Sequence, residues 1–453
     1  MIPGHEVVER VLALATVDDT FVIVTDSSEA SLRWAGNSMT TNGIGISRHW
    51  TVVSVVRGSS DTKVATMSST SVDPDEIASI VAACENTARA AEPAEDAMPL
   101  VTGTGDPDDW AADTALTSIG VFGRFTEDLA AGFAGRDQLY GFAHHRLDTV
   151  WLGSTSGIRR RFTQPTGSIE INGKRDDASA WVGASTKHFD DVNVASLLSD
   201  LSTRLGWAST QLDLPAGRYE TLLPPSAIAD LMIYLMWTME GRGAQEGHTA
   251  LSRPGGTRVG EKLGSIPLTL FSDPNYAGLE YSPFVATGAS NDSVSVFDNG
   301  MATSRVDWVR DGAVGALAYP RFLADKYDTD PVIPGDNLVL TGGSDADLDA
   351  MIARTERGLL LTTLWYIREV DPATLLLTGL TRDGVYLVED GTVTGAVNNF
   401  RFNESPLDLL RRVTEAGATE KTLPREWKDW FTRTAMPPLR IPDFHMSSVS
   451  KAQ

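Results

Sequence analysis

The chain has 453 residues, 42% of them hydrophobic and 22% charged, which is enough for two hydrophobic cores rather than one. Its net charge of −22 argues against nucleic acid and anionic membrane surfaces as partners. The single cysteine, Cys84, excludes an intrachain disulfide and any cysteine-rich metal site, and no apolar run is long enough to span a bilayer.

In chain order, the opening MIPGHEVVER has early acids and no basic segment leading into an apolar one, so no signal peptide is expected and the location expected is cytoplasmic. HEVVER begins as a helical zinc motif would, but Arg10 stands where the second imidazole is needed. Residues 20–58 read as three β-rich runs broken by Ser, Asn and Gly turns. Residues 73–91 read as a helix, with Asp73 or Asp75 at its start and Ile77, Ile80, Val81 and Cys84 on one face. A polar loop follows, then a helix over 122–134. From Asp148 the pattern alternates as antiparallel strands do, with turns at STSG, NGK and RDDAS. A helix over 193–209 precedes a connector, and the domain boundary is placed near residue 213.

The second segment opens with PSAIADLMIYLMWTME. Ser226 is the expected N-cap, and Ile228, Leu231, Met232, Leu235, Met236 and Met239 form a helical stripe. Strands and turns dominate thereafter, with FDNG, TRDG and VEDG as hairpin signals. One helix, SDADLDAMIARTERG, is expected to be capped by Ser344 and stopped by Gly358. The class expected is therefore α+β. An N-terminal α/β domain over 1–213 carries an antiparallel sheet and helices, and a C-terminal β-rich, barrel-like domain over 214–453 carries a few helices.

Local motifs give little chemistry. His144 and His145 alternate to opposite faces of a strand, so they are not joint ligands. His248 lies with Glu246 on a Gly-rich segment and reads as a loop histidine. There is no G-x-S-x-G elbow and no phosphate loop, and no local spacing brings two carboxylates into one pocket.

Three stretches together resemble the TldD/PmbA family: LDLPAGRYETLLPPSAIADLMIYL, RPGGTRVGEKLGSIPLTLFSDPNYAGLEYSPF, and the run from RTERGLLL to NESPLDLL. The N-terminal strands and the helix at 73–91 also fit. In the TldD subunit of that family, the corresponding helix ends in His-Glu-x-x-x-His and a later cysteine completes a zinc site. Here the matching residues are Met239, Glu240 and Ala244, and no cysteine follows Cys84. A thioether and a methyl group do not replace two imidazoles as zinc ligands. The resemblance implies a zinc-less TldE (PmbA)-type subunit with no catalytic residue and no cofactor of its own. It would form a heterodimer with a zinc-bearing TldD-type partner and help to enclose an unfolded or leader peptide. Asn399, Arg401 and Asn403 share one face of NNFRFNE and are the candidate groove contacts, with His248 a further candidate. Two alternatives stand beside this: an independent hydrolase using His248, Glu246 and Asp273, and a stand-alone peptide-binding homodimer.

Overall fold

The computed structural model describes residues 2–450. Its first half is one six-stranded antiparallel sheet in the order β3-β2-β1-β4-β5-β6. The strands are β1 (Asp19–Trp34), β2 (Met39–Arg57), β3 (Thr62–Ser69), β4 (Gln138–Ser154), β5 (Arg159–Arg175) and β6 (Ala178–Thr186). Residues 20–58 therefore form two long strands rather than three short runs. β1 is paired along its length with β2 on one side and β4 on the other, and this continuous ladder carries the chain through Ser27, Ser28, Gly43 and Gly45 without a turn. The third strand of the segment lies beyond the expected window.

Period-two alternation decides what each face meets. Leu139, Ala143, His145, Thr149 and Trp151 of β4 are buried on one face, under helices α1 (Gly4–Leu14), α2 (Pro74–Ala90), α3 (Thr126–Phe133) and α4 (Val194–Trp207). His144 points to the other face, as its spacing requires. That face is covered at one end, where Phe21, Val53 and Leu152 pack on Phe284, Val296 and Phe297 from the second half. Asp73 caps α2 by accepting from Asp75 and Glu76, and Cys84 is a buried core side chain of that helix.

The second half has a ten-stranded and a six-stranded sheet. The α+β class is as expected, but neither sheet closes into a barrel: the end strands of the larger one, Trp365–Asp371 and Gln211–Leu212, lie at opposite ends of its order. Helix α5 (Pro225–Trp237) lies between the sheets, against Gly217–Leu223 of one and Thr434–Met436 of the other. It is buried nearly all round rather than along one stripe, with Ala227, Ala229, Asp230 and Ile233 inside as well as the expected positions. Its start is Pro224-Pro225, with no side-chain cap; Ser226 is already inside the helix.

Other local signals were overruled by neighbours. Asp347, not Ser344, caps the short helix Leu348–Ala353, and Gly358 sits inside strand Arg357–Leu361. Of the three hairpin signals, VEDG joins paired strands, with Asp390 and Gly391 in the left-handed region its tight turn requires. TRDG connects strands that pair elsewhere, and FDNG forms a buried 3-10 turn. No helix among the described residues is long and apolar enough to cross a membrane.

Candidate functional site

After α5, Thr238 ends the helix and the chain makes a brief extended excursion. Ala318 N donates to Met239 O at 2.8 Å, and Gly241 N donates to Ala318 O at 2.9 Å, so Glu240 is held in a two-residue parallel bridge. The short helix α6 (Gly241–Gln245) starts at once. Gly241 is required there, because a Cβ would lie 2.1 Å from the Tyr319 ring. His248 N donates to Gly243 O at 2.9 Å and closes the segment.

This backbone fixes the directions of the three motif-matching side chains. Met239 and Ala244 are both 0% exposed and belong to the main core of the second half, with Met236, Leu251, Leu317 and Leu323. Only Glu240 emerges, and it is half-buried. Burial pushes its carboxyl above the ordinary range, the nearby Asp292 charge pushes it the same way, and a hydrogen bond with Ser293 opposes them. The donor set at 239, 240 and 244 is thus a core thioether, one carboxylate and a methyl group, which does not fit a zinc ion. Among the described residues no three His, Cys, Asp or Glu side chains gather as a metal site.

Arg242 was not singled out from the sequence, yet it anchors the segment. It pairs with Asp292 at 3.1 Å and with Glu95 from the loop after α2, and it lies 5.6 Å from the Phe322 ring centroid. No local pattern marked it, because its partners come from 147 residues upstream and 50 downstream.

The other candidates fall in three places. The His248 side chain is 70% exposed, with Nδ1 3.8 Å from Glu246, and Glu246 also accepts from Tyr327 Oη at 3.2 Å. Asp273 accepts from Asn275 N at 2.9 Å, so its carboxylate caps its own turn. Arg401 and Asn403 are on strand Phe400–Glu404, with Phe400 and Phe402 buried behind them as the alternation requires. Asn399 immediately precedes that strand, and its carbonyl accepts from Ser450 N at 2.7 Å. The strand is internal, between Leu376–Leu380 and Leu439–Val449, so its backbone is already paired on both sides. Asn403 accepts from Thr378 Oγ1 at 2.9 Å and from Ser447 Oγ at 3.3 Å, and Arg401 donates to Thr378 Oγ1 at 3.3 Å. These bonds tie the polar face together and do not reach the 239–248 segment.

A family model described as the PmbA/TldA metallopeptidase C-terminal domain matches residues 216–448. No curated protein matches the chain. Among solved structures, TldE from Thermococcus kodakarensis is similar over 97% of this chain and 98% of its own, at 15% identity and a TM-score of 0.76. A protein described as a modulator of DNA gyrase from Bacteroides thetaiotaomicron is similar over 98% of each chain, at 17% identity and a TM-score of 0.75. A like-described protein from Thermotoga maritima is similar over 97% of this chain and 99% of its own, at 15% identity and a TM-score of 0.73. At these identities the likeness is one of fold.

Proposed function

Since the chain belongs to the PmbA/TldD metallopeptidase family, we propose that it is a zinc-less, TldE-type subunit of a heteromeric peptidase. It would work in the cytoplasm beside a TldD-type partner that holds zinc and supplies the hydrolytic chemistry. Its own task would be to wall the chamber and steady an extended substrate, either an unfolded peptide or a leader peptide. Met239 and Ala244 carry this reading: where the resemblance expects two imidazoles, side chains without zinc-binding capacity fill the core. The likeness to TldE over nearly the whole of both chains supports the subunit type.

The test is reconstitution. The purified chain alone is expected to take up no stoichiometric zinc and to leave an unfolded peptide intact. The same chain with a similar-length partner bearing His-Glu-x-x-x-His is expected to cleave it, faster than the partner alone. Stoichiometric zinc in the lone chain, or cleavage by it, overturns the assignment.

A further inference from the structure

Strand β3 pairs with β2 only from Trp50 to Arg57, so among the described residues the outward edge of β2 from Met39 to His49 has no neighbouring strand. An unpaired strand edge invites pairing with another chain, and monomeric proteins usually blunt it with charge, proline or a covering element. This one has none of these. Residues 39–47, MTTNGIGIS, contain no charged residue and no proline, in a chain of net charge −22, and all nine are exposed.

The apolar face matters as much as the edge. Ile44 and Ile46 lie opposite Ala30 and Ser28, on the face that α3 and the turn at Ile119–Phe125 bury farther into the sheet. On β2 that face continues uncovered, with Ile44 65% and Ile46 61% exposed. Thr117 N donates to Ser28 Oγ at 3.1 Å, which sets the 114–119 segment beside Ile46, and there Leu116 is 62% and Ile119 42% exposed. Gly43 and Gly45 alternate with the isoleucines, and a Cβ on either would meet nothing within 4 Å, so another backbone can approach closely.

We propose that this edge is a self-association surface, on which a second copy of the chain pairs its own β2 antiparallel about a twofold axis. The edge is self-complementary. A register that sets Ile44 of one copy opposite Ile46 of the other keeps all four isoleucines on one face and places Gly45 opposite Gly45. The neutral stretch is also where two acidic molecules repel least. A lone extended peptide would satisfy the backbone but leave Leu116 and Ile119 open, whereas a second folded copy brings aliphatic side chains to cover them. The proposal is independent of whether a zinc-bearing partner exists.

Sedimentation equilibrium of the full chain is the test, with Ile44→Glu/Ile46→Glu as the variant and a thermal melt of each to show that both are folded. The wild type is expected to dimerise in a concentration-dependent way, and the variant to dimerise at least about tenfold more weakly. If the variant does not fold, Ile46→Pro, which removes one donor of the outward edge, is measured in its place. A wild type that stays monomeric, or a folded variant whose dimer is as tight as the wild type's, overturns the proposal. So does a monomer whose residues 40–47 gain hydrogen-exchange protection only when unfolded peptide is added, since the occupant is then a peptide.

Discussion

Met239 and Ala244 stand at the two sequence positions where the family resemblance expects imidazoles, and their side chains lie in the core. Putting imidazoles back would bury two polar rings among aliphatic side chains and overfill the space at Ala244. Met239→His/Ala244→His is therefore expected to destabilise the chain by about 3 kcal/mol, read from urea unfolding. Added zinc is not expected to restore that loss; a large zinc-dependent gain in the variant would show that the pocket still closes around a metal. Glu240 makes a second prediction. Burial and the Asp292 charge raise its folded pKa above the unfolded one, so its contribution to stability is present below the ordinary carboxylate range and is lost as pH rises through the raised value. Glu240→Gln escapes that loss. The difference in stability should shift in favour of the variant as pH rises from the ordinary carboxylate range through the raised value, and a difference that does not change with pH would contradict this.

Helix α5 illustrates what an element's surroundings can demand. The stripe from Ile228 to Met236 was legible from spacing alone, but Asp230 on the same helix is also fully buried. Its carboxylate accepts from the backbone N–H groups of Glu426 at 3.0 Å, Trp427 at 3.4 Å and Arg425 at 3.3 Å, which pins the 425–427 loop to the helix. Burial still holds this carboxyl well above its usual range. Asp230→Ala leaves these donors without a partner and should cost about 3 kcal/mol, whereas Asp230→Asn keeps one acceptor oxygen and should cost less. Equal losses in thermal melts of the two variants would mean that the loop is held by something else. The helix starts and stops were less legible than the stripes. Ser226, Ser344 and Gly358 are all plausible punctuation locally, but proline, a later aspartate and strand pairing took those roles instead.

At the scale of the molecule, the halves share a core. Ala30, Leu32, Ile169 and Ile171 of the first sheet pack in one cluster with Leu222, Leu360, Tyr386 and Val388 of the second half. Arg425 adds a polar counterpart, with its guanidinium 5.4 Å from the Trp181 ring and 5.6 Å from the Trp365 ring. The change of sheet near residue 213 therefore does not separate two independent cores. Calorimetry should show one unfolding transition for both halves, and two resolved transitions would refute that.

The sequence by itself determined what depends on neighbours along the chain: the alternation that turns Phe400 and Phe402 inward, and the amphipathic helix at 74–90, whose start it placed at Asp73 or Asp75. Those features follow from periods of two and 3.6 and from side-chain chemistry, both of which can be read locally. Only the tertiary structure decided which edge of β2 stays unpaired, why α5 is buried all round, and that Arg242 ties Glu95 to Asp292 across the halves. These depend on contacts between residues far apart in the chain, and local preference carries no information about which distant segment will arrive.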